Sequence, residues 1–309
     1  MRVLVTGAGG FVGRHLTAHL EAEGDTVVPL ADGIDVADEA AVVAAVAEAA
    51  PHAVYHLAGW AHVGESWKQP TEAVRVNVAG TAAVLEGCRQ AAVPRILIVG
   101  SADAYGAFAP DDLPLREELP LRPVTPYGAS KAAAEVVALQ AHRSSGAGVV
   151  LTRSFNHTGV GQHPSFVVPA LARRIVEAAA EPAGSGGTKQ RGGEVRVGNL
   201  SAQRDLLDVE DVVRAYRVLS LRGAAGQAYN VCSGSAVAIE EVARRLAELS
   251  GTELRLVVDP ELVRDVDVPL VVGDSSRLRA RGWQPQVALG ETLRRVLDDQ
   301  RRSLAAVER

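Results

Sequence analysis

The chain has 309 residues, 47% hydrophobic and 22% charged, enough to bury one large core or two smaller ones. A formal net charge of −5 gives nucleic acid no general electrostatic attraction, and no apolar run approaches the roughly 20 residues needed to span a bilayer. Cys88 and Cys232 are too few for a disulfide framework or a zinc site; with no signal-peptide pattern in residues 1–20, a reduced, cytoplasmic setting without membrane partners is expected.

Arg2-Val3-Leu4-Val5 reads as a short, buried parallel strand. Thr6-Gly7-Ala8-Gly9-Gly10-Phe11-Val12-Gly13 follows at once, then an amphipathic stretch from Arg14 to Glu23. Strand, glycine turn and helix in that order suit a dinucleotide. Gly7 allows the tight turn, Gly10 lets the backbone approach a pyrophosphate, and Gly13 lets helix pack on strand, with the phosphates at the positive helix end. Further apolar runs at 26–30, 53–56, 95–99 and 148–152 read as successive parallel strands. Alanine-rich helical stretches at 39–49, 71–92 and 126–144 lie between them. After about residue 155 the alternation loosens. A flexible, basic loop is expected at 184–193, with shorter strands at 195–197, 228–232 and 254–258 and helices at 210–221, 239–249 and 289–304.

The expected fold is therefore α/β: a Rossmann-type, doubly wound parallel sheet with a smaller, discontinuous α/β C-terminal lobe. Residues 1–155 would form the dinucleotide-binding domain, with segments at about 195–235 returning to it, and 156–309 mainly the substrate lobe.

Several positions carry chemistry. Leu57-Ala58-Gly59 ends the third strand, where small residues let a cofactor approach. Asp35-Val36 follows the second strand, and its carboxylate suits an adenine amino group; a solvated loop aspartate is the plainer reading. Asn77 lies within a helix that is otherwise apolar, where an amide suits either a cofactor contact or bracing of the neighbouring strand. Ser101 follows the fourth strand. Tyr127-Gly128-Ala129-Ser130-Lys131 puts a phenol and an ammonium four residues apart, on one helix face. A free tyrosine has a pKa of about 10, and a cation ~4 Å away favours the phenolate by up to ~4 kcal/mol, enough to make Tyr127 a general acid or base. Ser101 would complete a Ser-Tyr-Lys set by donating a hydrogen bond to the reacting oxygen.

Gly7–Gly13, Leu57-Ala58-Gly59, Ser101 and Tyr127-x-x-x-Lys131 together resemble the extended short-chain dehydrogenase/reductase superfamily. Four segments narrow the resemblance: Ala61-His62-Val63-Gly64-Glu65-Ser66-Trp67; Arg153-Ser154-Phe155-Asn156-His157-Thr158-Gly159; Gly198-Asn199-Leu200-Ser201-Ala202-Gln203-Arg204-Asp205; and Tyr229-Asn230-Val231-Cys232-Ser233-Gly234. They are similar to the branch of GDP-4-keto-6-deoxy-D-mannose reductases and GDP-mannose 4,6-dehydratases. The resemblance implies catalysis by Ser101, Tyr127 and Lys131. It implies a cofactor held by Gly7, Gly10, Phe11, Val12, Gly13, Arg14, Asp32, Asp35, Val36, Leu57, Ala58, Gly59 and Phe155, with Tyr127 and Lys131. It also implies a GDP-linked or other nucleotide-linked hexose bound by Asp103, Asn156, Val168, Arg173, Arg196, Arg204 and Arg264; arginine suits diphosphates because its planar fork binds oxygens in pairs. Each arginine, taken singly, is also readable as a surface charge, and Val168 as a helix-core residue. No metal is implied, and the alanine-rich helices at 71–92 and 126–144 would pair into a homodimer.

Reductase and dehydratase diverge after Ser101. A dehydratase calls for a further acid/base carboxylate, usually glutamate two residues past the Ser/Thr, and here that position is Asp103. A carboxylate one methylene shorter falls roughly 1 to 1.5 Å short, a misplacement that costs on the order of a hundredfold. The expected activity is therefore NAD(P)H-dependent reduction of carbon 4 of a nucleotide-linked 4-keto-6-deoxyhexose, giving a GDP-D-rhamnose type product; the alternative is a 4,6-dehydratase or 4-epimerase with retained NAD(P). NADP(H) and NAD(H) stay undecided: Ala31 occupies the usual acidic position, Asp32 comes one residue late, and Arg14 suits a 2′-phosphate.

Overall fold

The computed structural model describes residues 1–180, 193–253, 255–259, 262 and 268–307. Two compact units emerge. The first comprises Met1–Phe155, Val209–Cys232 and Gly273–Gln284; the second comprises Asn156–Asp208, Ser233–Val272 and Pro285–Arg309.

The first unit is built on β1 (Arg2–Thr6), β2 (Thr26–Pro29), β3 (Ala53–His56), β4 (Ile96–Ser101), β5 (Val149–Ser154) and β9 (Gln227–Val231). They form one parallel sheet in the order β2-β1-β3-β4-β5-β9. β1, β3 and β5 bury nearly every side chain, as strands of a sheet covered on both faces must. The order reverses beside β1, so the carboxyl ends of β1 and β3 form the switch point where open α/β sheets bind ligands. Two local signals position the helix that matters most, α6 (Pro126–Ser145): the Thr125 side chain caps the Gly128 N–H with Pro126 in the first turn, and Gly146 closes it at φ 72°.

The second unit has β6 (Asn156–Thr158), β8 (Gln203–Asp208), β10 (Ala236–Ala238) and β12 (Leu270–Val271) in one sheet, and β7 (Glu194–Val197) paired with β11 (Arg255–Val258). Its core is the apolar face of α7 (Val167–Ala180), α9 (Ile239–Ser250) and α11 (Leu289–Val307). Ile239, Val242, Ala243 and Leu246 give α9 a buried stripe at helical spacing.

Three expectations change. Return to the first unit occurs at 209–232 and again at 273–284, while 195–208 stays in the second, because β8 pairs there with β6, β10 and β12. The first helix starts at Phe11, not Arg14. The single helix expected at 71–92 is α4 (Pro70–Val74), a π-helical turn (Arg75–Ala79) and α5 (Gly80–Gln90). Val168 is buried among Leu171, Ala172 and Ile175 in the α7 core. The loop at 184–193, apart from Gly193, and Arg264 lie outside the described residues.

A Cβ on Gly13 would sit 2.1 Å from the Gly7 carbonyl oxygen and 2.7 Å from that of Ala8, whereas one on Gly9 would meet nothing within 4 Å. Gly13→Ala is expected to destabilise the protein by about 1–3 kcal/mol in chemical denaturation. Gly9→Ala should change stability by less than about 0.5 kcal/mol.

Candidate active site

The first turn of α6 is pinned from several directions. Its Tyr127 N–H donates to Ser66 Oγ at 3.1 Å, and Ser66, fully buried in α3 (Val63–Lys68), donates its own proton to the Val63 carbonyl. Gly128 lets the turn after β4 approach: a Cβ there would stand 2.5 Å from the Asp103 carbonyl oxygen. Ser101 ends β4 beside this contact. Its Oγ donates to Asp103 Oδ2 at 3.0 Å and accepts the Asp103 N–H at 3.1 Å. The serine proton is thus directed at Asp103 rather than held for an incoming oxygen. One turn further on, Lys131 Nζ donates to the Val99 carbonyl at 3.0 Å.

The electrostatics differ from the simple pairing of cation and phenol. Dense surroundings, and then the Asp103 carboxylate, push the Tyr127 phenol above its ordinary value. Desolvation lowers the Lys131 ammonium to about 8. Lys131 answers the Val99 carbonyl, and burial favours the protonated form of Tyr127.

A buried hydrogen-bond chain connects this helix with the switch point. Thr81 Oγ1 donates to the Asn77 carbonyl at 2.7 Å, so at 3.1 Å from His56 Nε2 it acts as acceptor. The His56 ring therefore carries its proton on Nε2 and accepts from Thr6 Oγ1 at Nδ1, 2.8 Å away; burial, with Lys131 nearby, lowers its pKa to about 3 and keeps it neutral. Thr6 Oγ1 in turn accepts the Ala58 N–H at 3.0 Å. Asn77 Oδ1 takes the Trp60 N–H at 2.8 Å and Nδ2 donates to Ser130 Oγ at 2.8 Å. Asn77 thus braces elements of the protein, and it does so from the π-helical turn, a distortion often found at functional sites. A Cβ on Gly59 would fall 2.7 Å from Asn77 Oδ1 and 3.2 Å from Lys131 Nζ, so Gly59, Asn77 and Lys131 meet at one point.

The residues fit a dinucleotide at the β1–α1 turn. Gly10 caps α1 (Phe11–Ala22) without a side chain, and the turn is open at Gly9, which leaves helix N–H groups and backbone for an anionic phosphate. Gly7 holds φ +70°, with Ala58 N only 2.8 Å from where a Cβ would stand. Phe11 and Val12 open the helix, Phe11 edge-on to His15, and Arg14 donates from Nη1 to the Gly9 carbonyl at 2.6 Å, leaning over the turn. Asp32 is exposed. Asp35 accepts the Ala37 N–H and a 2.7 Å ion pair from Arg75, which hold its carboxyl below the ordinary range. The Val36 side chain is buried against Gly80, and the Phe155 ring is buried beside Tyr105 and Gly273; both are core side chains. Leu57 donates its N–H to the Thr6 carbonyl.

In the second unit, Asn156 is exposed on β6. Arg173 pairs with Glu177 at 2.8 Å on the surface of α7, and Arg196 with Asp259 at 3.0 Å. Arg204 donates to the Gln203 and Val268 carbonyls. Among the described residues no group of three His, Cys, Asp or Glu side chains is arranged to hold a metal, and no helix is long and apolar enough to cross a membrane. Ser66 is the positioning residue that sequence reasoning missed; it occurs in the quoted 61–67 segment, but nothing in the spacing points it at Tyr127.

A glycine-turn parallel sheet with Ser, Tyr and Lys gathered at its carboxyl edge defines a dinucleotide-dependent enzyme of the extended short-chain dehydrogenase/reductase kind. The sequence pattern of the NAD dependent epimerase/dehydratase family matches residues 3–232, and the chain belongs to that family. It is 36% identical over 304 residues to a GDP-6-deoxy-D-mannose reductase of Pseudomonas aeruginosa, covering 96% of each chain. It is 30% identical to a dTDP-glucose 4,6-dehydratase of Streptomyces griseus, covering 94% of this chain and 91% of the other. Among solved structures, RMD from Pseudomonas aeruginosa complexed with NADPH superposes with a TM-score of 0.88 at 35% identity, covering 98% of this chain and 100% of that one. A UDP-glucose 4-epimerase of Thermus thermophilus in complex with NAD gives 0.85 at 28% identity, covering 97% and 99%.

The Lys131 environment yields a stability test. A lysine whose folded pKa lies near 8, against about 10.4 unfolded, penalises the fold wherever it must stay charged, and stability rises with pH only where the unfolded chain binds more protons. That penalty is full below pH ~8 and fades as pH rises towards ~10.4. Lys131→Met is expected to stabilise the cofactor-free protein by about 1–2 kcal/mol at pH 7, and by much less at pH 10, measured by thermal or urea unfolding.

Proposed function

We propose that this protein reduces the 4-keto group of a nucleotide-linked 4-keto-6-deoxyhexose with NAD(P)H, GDP-4-keto-6-deoxy-D-mannose being the substrate that the likeness to a GDP-6-deoxy-D-mannose reductase supports. The observation that carries this reading is the 36% identity to a GDP-6-deoxy-D-mannose reductase across nearly the whole chain, supported by Tyr127 in the first turn of α6, where burial favours the neutral phenol that a ketone reduction needs as proton donor. Bound NAD(P)H would supply the hydride. Tyr127 would give its proton to the alkoxide formed at carbon 4, with Ser101 at the end of β4 orienting that oxygen. Lys131, which remains largely charged at neutral pH, would hold the nicotinamide ribose. The Gly7–Gly13 turn, Arg14, Asp35 and Leu57-Ala58-Gly59 are assigned to the cofactor, and Asn156, Arg204 and Arg264 to the sugar nucleotide. Arg173 and Arg196 are less suited, since each is already matched by a carboxylate. The first unit would thus be the dinucleotide domain and the second the sugar-nucleotide lobe, in a cytoplasmic homodimer.

The 30% identity to a 4,6-dehydratase supports a second reading, in which the cofactor is retained and regenerated. The shorter Asp103 carboxylate, two residues past Ser101, counts against it.

Incubated with NADPH or NADH and GDP-4-keto-6-deoxymannose, the purified protein is expected to consume cofactor stoichiometrically and form a GDP-6-deoxyhexose. Conversion of a sugar nucleotide without net cofactor consumption would replace this reading by the second. Tyr127→Phe should lower kcat by roughly 10²–10⁴-fold with NADPH affinity, read by fluorescence, unchanged.

A further inference from the structure

Between Pro70 and Gln90 an α-helical run is interrupted by the π-helical turn at Arg75–Ala79, in which the Gly80 N–H reaches back five residues to the Arg75 carbonyl. Such a turn needs support, because it gives up the regular α-helical ladder. The Asn77 carbonyl inside it is taken by a side chain, Thr81 Oγ1, which donates to it at 2.7 Å. That hydroxyl is held from outside the helix. His56, on β3, lies 3.1 Å away at Nε2, and with the hydroxyl proton already committed the ring nitrogen is the donor. The other ring nitrogen accepts from Thr6 on β1 at 2.8 Å. All four residues are buried, so solvent does not make good a lost bond.

The turn delivers the Asn77 side chain. Its Oδ1 accepts the Trp60 N–H at 2.8 Å, and its Nδ2 donates at 2.8 Å to Ser130 Oγ, which itself donates to the Tyr127 carbonyl at 2.7 Å. Straightening the turn into regular α-helix would swing Asn77 by about 100° relative to α5, one residue's step around the axis, and take the amide off both partners. His56, Asn77 and Thr81 also line one small internal cavity with Val99 and Lys131. The ring thus supports the surroundings of both Tyr127 and Lys131. Lys131 and Glu135 are the charged groups on that cavity. Glu135 is matched by Arg153 at 2.6 Å, and Lys131 adds to burial in disfavouring an imidazolium.

We propose that His56 is a positioning residue for the reaction: as the neutral tautomer protonated at Nε2, it maintains the π-helical turn and, through Asn77 and Ser130, the setting of Tyr127. Its kinetic consequence rests on the reductase reading; the tautomer itself does not.

Two pairs of variants test the link. Thr81→Val removes the hydroxyl between ring and turn, and Thr81→Ser keeps it. His56→Asn keeps an acceptor for Thr6 but is too short for Thr81, whereas His56→Gln extends an amide towards it. Assayed well below their unfolding midpoints, Thr81→Val and His56→Asn are expected to lower kcat roughly tenfold to a hundredfold, with KM and NADPH affinity little changed. Thr81→Ser and His56→Gln should recover most of that loss. The double variant Thr81→Val/His56→Asn should be no slower than either single one, since both break the same link. A second readout needs no variant and no turnover. In nitrogen-15 NMR of the cofactor-free wild type, the His56 ring, assigned through its own backbone, should be neutral, protonated at Nε2, and unchanged between about pH 5 and 8, well above its pKa of about 3. An unchanged kcat in folded Thr81→Val, an equal loss in Thr81→Ser, or a His56 ring protonated at Nδ1 or charged in that range overturns the proposal. Wild-type protein that consumes no NAD(P)H would instead overturn the reductase reading, and the variant pairs would then be compared on the sugar-nucleotide conversion it does catalyse.

Discussion

The hydrogen-bond chain Thr6–His56–Thr81–Asn77–Ser130 is the constraint on which the site depends. It joins the ends of β1 and β3, where a dinucleotide would lie, to the π-helical turn before α5, and that turn to α6. Every link is buried, so each bond is worth more than its modest net contribution: removing one partner leaves the other unsatisfied, at about 1–3 kcal/mol. The chain has a single proton arrangement, and it requires a neutral His56. The same burial that lowers the imidazole pKa therefore preserves the geometry.

A second device fixes α6 one turn beyond Lys131. Arg153 donates to both Glu135 oxygens, to the Glu117 carbonyl, and lies 4.8 Å from the centre of the Tyr105 ring. Tyr105 donates in turn to Asn230, which holds the Leu115 carbonyl. A buried ion pair is weak evidence for stability, because desolvation offsets its Coulomb attraction. Its effect here is geometric. Glu135 lies four residues beyond Lys131, Tyr105 two beyond Asp103, and Arg153 on the neighbouring strand, so one guanidinium sets helix, loop and strand in mutual register.

Much of this was legible in the sequence, and the division follows physical lines. Strands β1 to β5, the glycine turn and the start of α6 announced themselves through local means: unbroken apolar runs, Gly at a positive φ, a Thr-Pro cap. β6, β8, β10 and β12 did not, because strands of two to six residues owe their existence to partners far along the chain rather than to propensity. Asn77 left two roles open in the sequence; only the π-helical turn, invisible to periodicity, directs its amide to Trp60 and Ser130. Val36, Phe155 and Val168, which the resemblance assigns to the site, have side chains buried in the core, so only their backbone would meet a ligand. Tyr127 and Lys131 lie one turn apart at the start of α6, as their spacing implies. Their coupling was not legible, since it depends on the Val99 carbonyl and on Asp103, neither of which helical spacing reports.

The two charge shifts at the site share one cause with opposite consequences for folding and function. Desolvation raises the phenol and lowers the amine, so both resist their charged forms. A neutral phenol suits the fold and is also the species a proton donor needs, so at Tyr127 stability and function agree. At Lys131 they conflict: the fold favours the free amine, while an electrostatic role needs the ammonium. A pKa near 8 is the compromise, with charge retained at neutral pH at a cost to the fold and the Val99 carbonyl offsetting part of that cost. That tension is what the proposed role of Lys131 in holding the nicotinamide ribose would explain, because packing alone favours an apolar side chain in its place.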